Sequence, residues 1–571
     1  MTRRILRRST PTIMPALHES PLLNRLYVSR GVQSALELDT ALERLIPIRE
    51  LGGVENAVQL LLKHHAAHSR IMVIGDFDTD GATSTALVVR QLRRLGFKHV
   101  EFLVPNRFRF GYGLTPEIVM LAFEQRPELI ITVDNGISSN AGVAAANALG
   151  IEVLVTDHHL AGEQLPRAAA IVNPNAPGNE FPSKALAGVG VAFYVMAALT
   201  REMQQQKSVG ADTAVAHLLD LVAVGTVADV VPLDTNNRVL VAQGLKRIRA
   251  GRCVPGIKAL LEAGNKRIET CVAADLGFQL GPRLNAAGRL DDMTLGIQCL
   301  LTDDMATARA LAAQLNQLNL DRRDIETQMQ ADALAALEQM QFDAEQLPLG
   351  LCLYEEQWHQ GVVGLVASRI KDRWHRPVIA MARADDKTLK GSARSVPGVH
   401  IRDVLDAIAA HHPGLIDKFG GHAMAAGLSI GADKLDAFKA AFDEEVKRRM
   451  SHDDAVGVIH SDGELSAQEF SLTAAKQLRE AGPWGQNFPE PLFDGVFQVV
   501  ETRVLGERHL KLKVDVAGKI IEAIAFRYFD DDAVPQVNVG DQVQLAYRLD
   551  VNEFRGEEKV QLVVEYLEEA T

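Results

Sequence analysis

Between about residue 50 and residue 235, short apolar runs alternate with stretches whose apolar residues recur at helical spacing. The runs lie in RIMVIGDFD, HVEFLVP, ELIITVDNG, IEVLVTDHH and AAAIVNP, and they are rich in Val and Ile. Such runs predict strands covered on both faces, and helices between them predict a parallel, doubly wound sheet. Residues 302–341 read as one or two long helices. Leu311, Leu315, Leu318, Ile325, Met329, Leu334 and Leu337 recur mostly three, four or seven apart, with no Gly or Pro inside. A connector between two lobes fits this stretch, and so does a helical hairpin. After Pro348 a second α/β section begins with LGLCLYEE, RPVIAMAR and KGSARS. From about residue 458, period-two alternation in FDGVFQVVETRVLG, HLKLKVDVAG, KIIEAIAFRYF, GDQVQLAYRLDVNEFRG and KVQLVVEYLEE predicts a small barrel or sandwich. The expected domains are a tail and lead-in over 1–48, an α/β domain over 49–300, a helical connector over 301–345, a smaller α/β domain over 346–455 and a barrel over 456–571.

A chain of 571 residues is too long for one core, which agrees with that division. No apolar run approaches the length of a membrane span. The start, MTRRILRRST, is basic but has no apolar core behind it, so it reads as a mobile tail rather than a secretory signal. The four cysteines are scattered without a CxxC pair, which fits a reducing cytoplasm and argues against disulfides or a zinc site. The net charge of −13 looks unsuited to nucleic acid, but binding is governed by the local patch. Arg90, Arg93, Arg94, Lys98, Arg107 and Arg109 crowd one stretch, and residues 369–394 carry eight Lys or Arg against three Asp. A solvated helix face explains either stretch equally well.

Chemistry gathers where the strands end. Asp76, Asp78 and Asp80 follow the first strand, Asp134 follows ELIITV, Asp157-His158-His159 closes the fourth, and Asp229 lies in VGTVADVVPL. In a doubly wound sheet, ligands bind beyond these carboxyl ends. Left alone, such carboxylates repel one another and raise each other's pKa values. Carboxylates and imidazoles without thiolates suit Mg²⁺ or Mn²⁺, with histidine favouring Mn²⁺. Singly, each cluster could be a turn, a helix cap or polar surface. Four of them at the strand ends of one sheet predict a site for two divalent ions.

The order GDFDTDG, VDNG, DHH, VADVVP resembles the DHH phosphoesterases, which hydrolyse phosphodiesters and phosphoric anhydrides with two divalent ions. PNRFRFGYGLT, GVGVAF, GPRLNAAGRLDD, WHQGVVG, GSARS and GGHAMAAG extend the likeness almost to the end of the chain. They are similar to the branch of that family that digests single-stranded DNA from the 5′ end. The resemblance implies an α/β fold: a parallel-sheet DHH domain, a long connecting helix, a smaller α/β DHHA1 domain and a C-terminal barrel of oligonucleotide-binding (OB) type. It implies a metal-dependent 5′→3′ exonuclease that releases 5′-mononucleotides in recombination and repair. Single-stranded DNA is the implied partner, possible further partners are a single-strand-binding protein and a helicase, and the expected form is a cytoplasmic monomer. The rivals are a short-oligonucleotide or cyclic-dinucleotide phosphodiesterase, and a scaffold that has lost its ligands.

By resemblance and ligand logic, one ion falls to Asp80, Asp134, His158 and Asp229, and the other to Asp76, Asp78 and Asp134, with Asp134 as the bridge. His159 would position the phosphate or the water, while Asp157 either ligates or orients a histidine. Gly420, Gly421 and His422 of GGHAMAAG, Ser392 and Arg394 of GSARS, and Arg283 or Arg289 of GPRLNAAGR would hold a terminal 5′-phosphate. Glycines let a backbone approach a phosphate closely, and guanidinium forks match it. Arg107, Arg109, Tyr112, Trp358 and His359 are expected to contact DNA, packing being the alternative for Trp358 and His359.

Overall fold

A computed structural model describes residues 3–9, 11, 14–106, 113–339, 348–451, 455–530, 536–554 and 556–570. The chain divides into two compact units. The larger comprises Arg8–Asn319, Asp462–Arg527 and Val537–Thr571; the smaller comprises Met1–Arg7, Leu320–Ser461 and Tyr528–Gln536.

In the larger unit, β2 (Arg70–Gly75), β3 (His99–Leu103), β4 (Leu129–Val133), β5 (Glu152–Thr156) and β6 (Ala170–Val172) form one parallel sheet in the order β3-β2-β4-β5-β6. Every residue of β4 is buried, which is why the strand reads as an unbroken apolar run. Around the sheet lie α2 (Val54–Ala66), α3 (Thr79–Arg94), α4 (Pro116–Phe123), α5 (Asn140–Ala148) and α6 (Gly188–Gln205). Strand order reverses between β2 and β4, the point at which doubly wound sheets open a crevice for a ligand. Asp76 and Asp134 follow those two strands.

A helical layer follows: α7 (Leu219–Ala228), α8 (Thr235–Arg249), α9 (Pro255–Ala263) and the single turn α10 (Ala273–Asp275). A π-helical turn over Leu276–Leu280 leads from α10 into α11 (Gly281–Leu290), then α12 (Thr294–Leu301). The expected connector is one helix, α13 (Met305–Gln339).

The barrel closes in the order β13-β14-β15-β17-β16, from β13 (Phe493–Leu505), β14 (His509–Val516), β15 (Lys519–Ala525), β16 (Gln542–Phe554) and β17 (Glu557–Glu569). Its lead-in is fastened to the helical layer of the same unit. Leu233 N–H donates to the Gln486 carbonyl at 2.8 Å, and Arg238 lies over the Phe488 ring. Arg30, just after α1 (Pro21–Ser29), grips Asp462 through two bonds of 3.0 and 2.9 Å, and Tyr27 stacks on Trp484 and Phe488.

The smaller unit is built on a five-stranded sheet in the order β10-β11-β9-β8-β7. Its strands are β7 (Leu351–Tyr354), β8 (Val378–Arg383), β9 (Thr388–Arg394), β10 (Lys418–Gly421) and β11 (Ala425–Gly431), and its helices are α14 (Val363–Trp374), α15 (Ile401–His411) and α16 (Leu435–Lys447). The N-terminal stretch read as a mobile tail contributes a strand here: β1 (Arg4–Arg7) pairs in parallel with β12 (Val458–Ser461).

Among the described residues, several members of the two basic stretches are engaged within the protein. Arg90 caps the end of α12, donating to the Leu300, Leu301 and Thr302 carbonyls and pairing with Asp303. Arg93 and Arg94 donate to the Val100 and Asp212 carbonyls. In the smaller unit Arg369 pairs with Glu326, Lys371 with Asp372 and Arg383 with Glu356.

Candidate active site

Three turns and a helix end build the acidic centre. Beyond β2, Asp78 is the N-cap of α3, and its Oδ1 accepts the Gly81 N–H at 3.0 Å. Glycine is required at 81, since a Cβ there would lie 2.5 Å from the Asp76 carbonyl oxygen. Beyond β4, Asp134 stands in the left-handed region at φ 60°, a conformation held by its N–H bond to the Thr156 carbonyl at 3.0 Å. Asp229 is the C-cap of α7.

These turns bring the predicted ligands together. Oxygen or nitrogen atoms of Asp76, Asp78 and Asp134 lie within 4.8 Å of one another, as do those of Asp80, His158 and Asp229, and those of Asp134, His158 and His159. His158 Nε2 sits 3.2 Å from Asp134 Oδ1 and 3.5 Å from Asp229 Oδ2. Asp134 and His158 each belong to two of the three groups, so the groups form one continuous cluster.

Burial and like charge push the carboxyls upward. Asp80 rises well above the usual carboxylate range through burial, then through Asp229 and Asp78; Asp134 does so through burial and all four neighbours. Asp229 is pushed up to about 7, by burial first and Asp78 second. Asp80 is partly compensated at the start of α6, where the Gly188 and Val189 N–H groups donate to its two oxygens at 2.7 and 2.9 Å. That is the task of GVGVAF, and no local pattern announces it. Glycine at 188 is what admits Asp134, whose Oδ1 would lie 2.6 Å from a Cβ there.

Asp157 orients a histidine and joins none of the three groups. Its Oδ1 accepts from the His158 N–H, the His159 N–H and His159 Nδ1 at 2.7, 3.1 and 2.8 Å, while Oδ2 accepts from Ile137 N–H at 2.9 Å. Burial alone would raise this carboxyl, but His159 and the backbone donors keep it low. His159 is lowered by burial and raised more strongly by Asp157, reaching about 9.

The other candidates separate. Arg283 is buried, with its guanidinium spent on Asn316 Oδ1 at 3.0 Å and the Gln279 and Ala263 carbonyls at 2.6 and 3.3 Å. Arg289 is half-buried in the last turn of α11. In the smaller unit, GGHAMAAG forms the β10–β11 hairpin. Gly420, Gly427 and Ser392 are register partners across three adjacent strands. Arg394 donates to Ser392 Oγ at 2.8 Å, and a Cβ on Gly364 would lie 2.8 Å from that guanidinium, so WHQGVVG makes room for GSARS. His422 is exposed. Trp358, expected to contact DNA, is only 5% exposed; it packs in the interior and offers no face for stacking. His359 is half-buried and accepts the Gly361 N–H on Nδ1. Arg107, Arg109 and Tyr112 lie outside the described residues.

A parallel sheet whose switch point is lined by this carboxylate and histidine set defines a metal-dependent phosphoesterase of the DHH class. Residues 70–226 match the DHH family N-terminal domain, 348–448 the DHHA1 domain and 461–566 the RecJ OB domain. The chain belongs to the RecJ family. It is 54% identical over 98% of both chains to the single-stranded-DNA-specific exonuclease RecJ of Dickeya dadantii, and 53% identical over 95% of both to that of Escherichia coli. The crystal structure of Thermus thermophilus RecJ in complex with Mn²⁺ matches all of this chain and 79% of its own, at 31% identity and a TM-score of 0.82. The Mg²⁺ complex matches with a TM-score of 0.75.

Proposed function

We propose that this chain is a single-stranded-DNA-specific 5′→3′ exonuclease that releases 5′-mononucleotides by hydrolysis and serves recombination and repair. The observation that carries the reading is the continuous cluster of four buried or half-buried carboxylate sites and His158 around Asp134. Its donors are oxygen and imidazole nitrogen only, a set that fits Mn²⁺ or Mg²⁺. The relatives in which those ions were seen are RecJ proteins.

Asp80, His158 and Asp229 would hold one ion and Asp76 and Asp78 the other, with Asp134 shared. When bound, the ions would neutralise charge on the scissile phosphate and lower the pKa of the attacking water. The protein's own groups do the rest. Asp157 fixes His159 through Nδ1, which aims Nε2 as the atom to steady a phosphate oxygen. Arg289 would supply a forked donor for a phosphate, whereas the guanidinium of Arg283 is buried and bonded to Asn316, Gln279 and Ala263. In the smaller unit, Ser392 and Arg394 would offer donors to a terminal 5′-phosphate, and Gly420 and Gly421, having no side chain, would let it approach the backbone beside the exposed His422. The barrel would add grip on longer strands. The protein would work in the cytoplasm as a monomer, beside a single-strand-binding protein and a helicase.

The test is release of nucleotide from single-stranded DNA labelled at either end, with Mn²⁺, Mg²⁺ or EDTA, beside a duplex and Asp134→Ala. Early metal-dependent loss of the 5′ label, absent on duplex and in the variant, is expected. Intact long strands with brisk cleavage of dinucleotides would instead favour a short-oligonucleotide phosphodiesterase.

A further inference from the structure

The turn that carries Asp76, Asp78 and Asp80 is held by a part of the chain that brings no ligand to it. Thr79 stands between two of those carboxylates and opens α3, so its N–H is one of the helix's unsatisfied donors. Asp78 caps Gly81 and leaves Thr79 to another acceptor. That acceptor is Asn285 in α11. Its Oδ1 takes the Thr79 N–H and the Thr79 hydroxyl, both at 2.8 Å, while the hydroxyl also lies 3.1 Å from the Gly281 carbonyl. One turn further along α11, a Cβ on Gly288 would lie 1.8 Å from the Phe77 carbonyl oxygen. Two successive turns of α11 therefore rest on Phe77 and Thr79.

The start of the same segment supports the other side of the cluster. Cβ atoms built on Gly277 and Gly281 would lie 3.3 Å from Val227 and Ala228, the residues just before Asp229. One stretch thus buttresses the Asp76–Asp80 turn and the helix end bearing Asp229, and its next residue after Gly288 is Arg289.

We infer that Asn285 is a positioning residue for the metal-holding turn. Carboxylates this close push one another apart, and the turn keeps their spacing only if its backbone is tied down. Asn285 does so with a neutral oxygen, which adds no further charge to the cluster. Through α11, that tie also fixes the turn relative to Arg289. The inference rests on the metal role proposed above.

The test measures Mn²⁺ binding directly, from the paramagnetic resonance of free Mn²⁺, in the full-length wild type, Asn285→Ala, Asn285→Asp and Thr79→Val, with thermal unfolding in EDTA alongside. Asn285→Ala is expected to weaken Mn²⁺ binding by about ten- to a hundred-fold, the usual consequence of losing a group that orients ligands. Asn285→Asp keeps an acceptor for both Thr79 donors and should bind far better than the alanine variant. Thr79→Val loses only the hydroxyl and should shift affinity several-fold in the same direction. A purely structural Asn285 would lower the melting temperature in EDTA while leaving Mn²⁺ affinity within about two-fold of wild type, and that result overturns the inference. Equal weakness of the Asp and Ala variants would overturn it too. If Asn285→Ala does not fold, unchanged affinity in Thr79→Val decides against it. Failure of the wild type itself to bind Mn²⁺ would sink the metal reading instead.

Discussion

Asp229→Asn separates the stability of the acidic cluster from its activity. In the metal-free protein the Asp229 carboxyl is pushed from 3.8 to about 7 by burial and by Asp78. A group whose folded pKa is raised favours folding most below its unfolded pKa, and that contribution disappears as pH rises through the folded value. Above about pH 7, therefore, ionised Asp229 works against the fold. At 1.36 kcal/mol per unit, a rise of about three units is worth roughly 4 kcal/mol. In EDTA at mildly alkaline pH the asparagine variant should melt several degrees above wild type, a gap that closes as pH falls towards 4. With Mn²⁺ the order should reverse, because wild type gains binding energy that the variant lacks, and exonuclease activity should fall by at least ~10²-fold. Paired melting curves in EDTA and Mn²⁺ at both pH values decide it. A variant less stable than wild type in EDTA at alkaline pH would refute the reasoning.

Asp157→Asn should leave Mn²⁺ binding close to wild type while lowering the rate about ten- to a hundred-fold, since His159 loses its charged partner but the ligands stay; metal titration beside single-turnover rates tests both halves. Arg289→Ala should raise KM for 5′-phosphorylated strands, measured beside 5′-hydroxyl strands. Arg283→Ala should lose about 2–4 kcal/mol of stability because buried acceptors are left bare. Burial lowers the pKa of His64, which bonds Ser69 and Glu152, so its contribution to stability is present above pH 6.5 and fades as pH falls through the lowered value; urea midpoints of His64→Gln should vary less across that window than those of wild type.

Much of the larger unit is legible in the sequence because parallel buried strands have a plain signature, and the acids stand directly at their ends. Asp76, Asp78, Asp80, Asp134 and His158 can be picked out one strand at a time, whereas Asp229, expected at a strand end of the same sheet, closes helix α7 instead. What holds them cannot. Gly188 meets Asp80 across 108 positions and Asn285 meets Thr79 across 206, so no local pattern carries either bond. Arg90 reads as surface charge because the carbonyls it caps lie 210 to 212 positions away. Arg283 and Arg289 share one helix and one motif, and only burial tells them apart. GGHAMAAG hides its two strands, since glycine and alanine carry almost no alternation to read.

The pairing of β1 with β12 bears on how the chain is made. Arg4 finds its partner at Val458, so β1 waits through the synthesis of the intervening chain before it can pair. At roughly 5–20 residues per second, that wait is on the order of half a minute to a minute and a half. Throughout it, a four-residue strand with two arginines stays unpaired, too short and too charged to template aggregation. Closure of this strand pair is then a late step in synthesis, and a fusion placed ahead of Arg4 would act on that step before it acts on catalysis.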